Sequence, residues 1–268
     1  MSRLTISTEN AEFQIIEALK LNRLKRNRLG ELFIEGTECI KQAVNANLEM
    51  TRIIAVDMKN LSDWAKDLIG KNKNAKIIEM SPELYNSLCD RADPSELLAT
   101  AKIRQNTLKD ISEKNPFIIV FDRPSDYGNL GSVIRSANAF GADGICIVGH
   151  GIDIYESKVI RASLGSVFFT KVIHVESMDI LKEFIEKQKA ANNMMVIGTD
   201  SAGEHSIREQ KIAKPVMVII GNEAKGISIK LKELCDIVVR IPMEGDVNSL
   251  NVSCAASIVM WEVYVTKL

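Results

Sequence analysis

Five short apolar runs punctuate the second half of the chain: Phe117-Ile-Ile-Val-Phe121, Gly144-Ile-Cys-Ile-Val148, Met194-Met-Val-Ile197, Val216-Met-Val-Ile-Ile220 and Ile237-Val-Val-Arg-Ile241. Each has four or five residues, too few for a helix. Each also lacks the alternation of a strand with one wet face, so these runs read as strands covered on both sides. Segments with helical character fall between them, at 130–140, 157–164, 178–189 and 229–234. Such alternation dictates an α/β domain with a mainly parallel sheet, and in such sheets ligands sit beyond the carboxyl ends of the strands.

The first hundred residues also read as α/β. Helices are expected at 12–28, 37–45 and 61–69, with another through Cys89 capped by Ser81 and led by Pro82. Strands are expected at 32–34, 52–56 and 76–79. Polar residues 106–115, followed by Pro116, have the composition of a linker. The expected organisation is therefore a small domain at 1–105, a linker at 106–115 and a larger domain at 116–268. The run 249–265 is apolar on almost every side, so it is expected to be buried, with a second subunit as one candidate cover.

Composition excludes several classes. With 268 residues, 46% of them hydrophobic, the chain can bury a sizeable core. No apolar run approaches the roughly 20 residues of a membrane-spanning helix, and the N-terminus carries no apolar leader, so a cytosolic protein is expected. Cys39, Cys89, Cys146, Cys235 and Cys254 are scattered without metal-ligand spacing. They read as buried free thiols, and no metal site is expected. His150, His174 and His205 are isolated from one another and receive no catalytic role.

A net charge of −1 argues against a nucleic-acid partner only if the charge is evenly spread. Between residues 18 and 30 stand Lys20, Arg23, Lys25, Arg26 and Arg28 without an acid. Both an RNA-contacting surface and an ordinary solvated helix face fit this run.

Three loops carry the candidate chemistry. Asn129-Leu-Gly131-Ser-Val-Ile-Arg135 opens a helix after the first strand, where unpaired N–H groups favour an anion. Read alone, Asn129 is equally a helix cap and Arg135 a surface ion-pairing residue. Gly221-Asn-Glu223-Ala-Lys-Gly226 nearly imitates a nucleotide-triphosphate loop. However, Lys225 precedes the final glycine where that loop needs lysine after it, which excludes ATP or GTP hydrolysis. Ile241-Pro242-Met-Glu-Gly245-Asp-Val-Asn-Ser249-Leu250-Asn251-Val-Ser253 places three polar side chains, Asn248, Ser249 and Asn251, before an apolar helix. Capping explains one of the three. The absence of G-x-G-x-x-G disfavours a dinucleotide enzyme.

Together these loops resemble the signature motifs of the SpoU (TrmH-like) family of knotted RNA ribose 2′-O-methyltransferases. Arg161-Ala-Ser163-Leu-Gly165-Ser-Val-Phe168 matches a further family segment. Arg26-Asn-Arg28 followed by Phe33-Ile-Glu35-Gly36 is similar to the start of the small substrate-binding domain of the family's rRNA-directed members. The resemblance implies an α/β fold whose C-terminal, mainly parallel sheet carries a deep trefoil knot (SPOUT) and is preceded by a small α/β substrate-binding domain. It also implies a homodimer with sites at the interface and a bent S-adenosylmethionine held around Thr199, Gly221, Ile241, Met243 and Leu250. Catalytic positions carried over by motif are Asn129, Arg135, Glu223, Ser249 and Asn251. Arg23, Arg26, Arg28 and Arg135 are the expected RNA contacts. Because a guanidinium is effectively always charged, Arg135 is expected to bind the target phosphate and stabilise the developing alkoxide. One departure is Tyr127, which stands where family members commonly have proline. The extra domain favours rRNA over tRNA, and a non-catalytic RNA-binding protein on the same fold is the remaining rival.

Overall fold

The computed structural model describes residues 3–90 and 93–266, which divide into two compact units. The first contains residues up to 104 together with 155–168; the second contains 105–154 and everything from 169 onward. The sequence places 155–168 in the later domain, whereas it packs within the earlier one.

In the first unit, strands β1 (Arg3–Ile6), β2 (Glu31–Glu35), β3 (Met50–Ala55), β4 (Lys76–Met80) and β5 (Leu98–Lys102) form one sheet in the order β1-β4-β3-β5-β2. β1, β4 and β3 pair in parallel, and β5 runs antiparallel to both β3 and β2. The helices are α1 (Ala11–Leu21), α2 (Arg23–Leu29), α3 (Thr37–Asn45), α4 (Asp63–Lys71) and α5 (Pro82–Ser87). The single helix expected at 12–28 is two. Asn22 takes an extended backbone and its side chain accepts from the Lys25 N–H at 3.1 Å, ending α1 and starting α2. Gly30, at φ +63°, then stops α2. Ser81 stands at the N-cap of α5 without a side-chain capping bond, so Pro82 at the first helical position carries the start. Phe13, Ile16 and Leu19 from α1 bury against Phe33, Ile54, Ile78 and Leu98.

Ion pairs tie the helix Ser157–Ala162 into this unit. Arg161 pairs with Glu35, which is fully buried, and with Asp90 at 2.8 Å. Asp90 also pairs with Lys20 at 2.7 Å and donates its backbone N–H to Glu35 at 3.0 Å. Arg26 pairs with Glu156 at 2.8 Å and donates to the carbonyls of Leu19 and Lys20.

In the second unit every strand pairing is parallel. Its elements are β6 (Phe117–Asp122), α6 (Tyr127–Ala139), β7 (Gly144–Val148), then, beyond the Ser157–Ala162 helix (α7), β8 (Val172–Val175), α8 (Met178–Asn192), β9 (Met195–Thr199), β10 (His205–Ser206), β11 (Val216–Ile220), α9 (Ile229–Lys232), β12 (Ile237–Arg240) and α10 (Val252–Val265). The strand order is β10-β12-β9-β11-β6-β7-β8. All five expected strands are present, and β8 and β10 extend the two edges. The segment expected as a linker contains a 3₁₀ turn at Leu108–Asp110, closed by a Thr107/Asp110 capping box, and Ile111 is buried in the core of this unit.

α10 departs from burial on all sides. Ala256, Val259, Met260 and Val263 form its buried stripe, while Ile258 and Trp261 are 37% and 47% exposed. Residues 242–251 lie outside any helix or strand and, from 242 to 250, are exposed. Cys39 and Cys146 are buried as expected; Cys89 and Cys235 are half-buried, and Cys254 is exposed because it faces away from that stripe.

Asp90 makes the ion network of the first unit sensitive to acid. Burial alone pushes its carboxyl up, but Lys20 and Arg161 outweigh burial and hold it below the usual carboxylate range. A depressed folded-state value contributes stability that is fully present above the unfolded pKa of about 3.9 and is lost as pH falls through the folded value. Asp90→Asn is therefore expected to lower the unfolding free energy at neutral pH and to make its fall below about pH 4 shallower. Urea titrations across pH check this, and identical acid limbs for the two proteins would contradict it.

Candidate active site

The carboxyl ends of β9, β11 and β12 open onto a cavity of about 390 Å³. Thr199 and Asp200 supply one wall, Ile220 to Gly226 a second, Val239, Ile241 and Met243 a third, and Ser249 and Leu250 with the first turns of α10 the last. All five residues expected around a cofactor, Thr199, Gly221, Ile241, Met243 and Leu250, line this one space.

Backbone geometry builds the second wall. Asn222 and Gly226 exchange two backbone hydrogen bonds of 3.0 and 2.9 Å, closing the loop on itself. The Asn222 side chain accepts from the N–H groups of Ala224 and Lys225, both at 3.1 Å, and donates to the Arg123 carbonyl at 2.7 Å. Asp122, 2% exposed, makes a second tie between the loops: it accepts two bonds from the Arg123 guanidinium and one from the Ser228 N–H at 2.8 Å. Neither Asn222 nor Asp122 stands out in sequence as a site residue, since their partners lie about a hundred positions away.

At the rim the polar residues of all three loops meet. Ser125 donates its hydroxyl to Glu223 Oε2 at 2.7 Å, and Asn129 Nδ2 lies 3.5 Å from Glu223 Oε1. Asn251 Nδ2 donates to Asn129 Oδ1 at 3.0 Å. Asn251 also caps α10 through Oδ1, accepting from the N–H and hydroxyl of Ser253. Asn129, Glu223 and Asn251 thus form one chain, and Ser249 lines the cavity beside it. The helix cap of the first motif is not Asn129 but Asp126, which accepts from the Asn129 N–H at 2.8 Å. Asp126 starts α6 at Tyr127, three residues earlier than expected.

This earlier start moves Arg135. It lies eight residues into α6, about 12 Å along the axis at 1.5 Å per residue. Its side chain is exposed and is not among the residues lining the cavity of its own chain. Arg26 also requires correction as an RNA contact: it is 1% exposed and its guanidinium is spent on Glu156 and two carbonyls. Arg23 and Arg28 are exposed.

Gly221 and Gly226 differ in what they demand. A Cβ on Gly221 would sit 2.5 Å from the Gly226 carbonyl carbon and 2.6 Å from the Ile227 nitrogen, whereas one on Gly226 meets open space and only the φ of +64° opposes it. Gly221→Ala is expected to open the loop and abolish saturable S-adenosylmethionine binding in calorimetry. Gly226→Ala should still bind, with a loss of no more than about thirtyfold, since a left-handed alanine costs roughly 1–2 kcal/mol.

Comparison with known proteins places the chain in a family. Residues 116–261 match the SpoU rRNA Methylase family and residues 10–99 match the SpoU L30e-like domain. A 23S rRNA (uridine(2479)-2′-O)-methyltransferase of Streptomyces viridochromogenes is 35% identical over 260 residues, covering 96% of this chain and 90% of that protein. The crystal structure of the SpoU methyltransferase AviRb from Streptomyces viridochromogenes, in complex with the cofactor AdoMet, superposes with a TM-score of 0.90 at 34% identity over 97% of this chain and 98% of that one. An AdoMet-bound rRNA methyltransferase from Sinorhizobium meliloti superposes with a TM-score of 0.83 at 26% identity, over 97% of each chain.

Proposed function

Since the chain belongs to the SpoU rRNA methylase family, we propose that it transfers the methyl group of S-adenosylmethionine to a ribose 2′-hydroxyl of 23S rRNA, in the cytosol. The observation that carries this reading is the meeting of Asn129, Glu223 and Asn251, from three motifs separated in sequence, at the rim of one cavity. The full-length likeness to a 23S rRNA 2′-O-methyltransferase supports the substrate.

The cavity suits the cofactor. Its volume falls in the usual range for small-ligand sites, with apolar Ile220, Val239, Ile241 and Leu250 for an adenine ring and the polar side chains of Thr199, Asp200 and Ser249 for hydrogen bonds. The Glu223 carboxylate at the rim complements a cationic sulfonium. When bound, the cofactor supplies an electrophilic methyl group. The chain must hold the ribose oxygen in line with it, since alignment removes much of the entropic barrier. Asn129 and Asn251 present paired amides for this, each orienting the other. Arg135 is the group for the target phosphate and for the negative charge that develops on the ribose oxygen.

Because Arg135 lies outside the cavity of its own chain, the reading includes a homodimer in which α6 of one protomer serves the cavity of its partner. An aromatic cluster supports the dimer. Phe140, Trp261 and Tyr264 pack with ring centroids 5.8–5.9 Å apart, and Trp261 and Ile258 leave an apolar face on α10 uncovered. The first unit serves as the RNA-engaging domain. Exposed Arg23, Lys25 and Arg28 on α2 surround Leu24, itself 78% exposed.

Incubating the protein with labelled cofactor and ribosomal or transfer RNA, then mapping 2′-O-methyl groups, tests the reading. Label in 23S rRNA is expected, and label confined to tRNA would replace the substrate. Arg135→Ala is expected to bind cofactor normally and lose turnover by at least about a hundredfold, in the range of one lost transition-state donor. Mixing it with Gly221→Ala should restore part of the activity, because mixed dimers contain one intact pairing. No restoration would place Arg135 in its own protomer's site. Lys25→Ala combined with Arg28→Ala should raise KM for RNA and flatten its salt dependence by about one to two counterions, with kcat little changed.

A further inference from the structure

Glu223 has a holder that no motif includes. Its Oε2 atom accepts the Ser125 hydroxyl at 2.7 Å and the Ser125 backbone N–H at 3.3 Å, and the Asn222 amide lies 3.3 Å from the same oxygen. With Oε2 occupied, Oε1 is the oxygen turned to Asn129 Nδ2. This fixes which way the Asn129 amide faces, because donating Nδ2 to Glu223 leaves Oδ1 to accept from Asn251. An ionised carboxylate only accepts, so Glu223 sets the Asn129 amide from one side, while the α10 cap, which takes Asn251 Oδ1, leaves Asn251 Nδ2 to donate from the other. Ser125 itself is held by the neighbouring loop: the Asn222 amide, which reaches the Arg123 carbonyl at 2.7 Å, also lies 3.4 Å from Ser125 Oγ.

We propose that Ser125 is a positioning residue for the methyl transfer, acting through Glu223 to hold the Asn129 and Asn251 amides in the orientation that receives the ribose. It lines no part of the cavity and acts through its bond to Glu223. This rests on the reading of the site as a 2′-O-methyltransferase. The residue is exposed, so its replacement removes a hydrogen bond without opening a core.

Ser125→Ala is expected to lower kcat about tenfold or more, the effect of losing a hydrogen bond to a charged group, while calorimetric cofactor affinity and Tm stay close to the parent values. Ser125→Thr, which keeps the hydroxyl, should recover most of the rate. In a Glu223→Ala background, Ser125→Ala should produce no further loss, since two residues acting in series are strongly non-additive. Unchanged kcat in Ser125→Ala, a threonine variant no faster than the alanine variant, or a full additional loss in the Glu223→Ala background would each overturn the proposal. An active parent beside an unaffected Ser125→Ala sinks Ser125 alone, whereas a parent inactive on every RNA tested removes the methyltransferase reading and this proposal together.

Discussion

Every strand pairing in the second unit runs the same way, and the site depends on that single constraint. A fully parallel sheet sends all its strands out at one edge, so the loops after β6, β9, β11 and β12 emerge side by side although about 120 residues separate the first from the last. The crowding has a covalent signature: Gly221 is a residue whose missing side chain is the room in which its own loop closes. It has a polar signature as well. Asp122 and Asn222 spend their side chains on the neighbouring loop's backbone, so the loops after β6 and β11 form one rigid rim.

That rim explains which parts of the molecule could be read in the sequence. β6, β7, β9 and β11 were legible because burial leaves an unbroken apolar run, whereas β12, only partly buried and ending in Arg240, was legible from Ile237-Val-Val239 alone. β1, β5, β8 and β10 were not, because edge strands of two to four residues and the mixed Leu98–Lys102 strand leave no comparable mark. The break of α1 from α2 and the early start of α6 turn on whether one asparagine or aspartate side chain finds a backbone N–H, which composition does not show. The cavity-lining segments after β9, β11 and β12 were legible for a local reason: each follows the end of an apolar strand. Ser125, Asp122 and the internal fate of Arg26 were not, because each is defined by a partner 98 to 130 positions away.

Arg26 and Arg28 show how little residue type alone decides. They stand two positions apart on one helix, yet one guanidinium neutralises a carboxylate inside the fold while the other faces water. The positive run between Ala18 and Gly30 is therefore smaller at the surface than its count of cations suggests. Lys20, committed to Asp90, reduces it further.

The helix Ser157–Ala162 belongs by packing to the first unit and by sequence to the interior of the second, so the polypeptide passes between the two units at residues 104–105, 154–155 and 168–169. Cleaving the chain near residue 105 would not release two independent halves. The C-terminal fragment would carry Arg161 and Glu156 stripped of Glu35, Asp90 and Arg26, and in the N-terminal fragment Glu35 would lose the arginine it pairs with. One cut of the chain therefore cannot separate the two units, because the first is assembled from two stretches of sequence that flank part of the second.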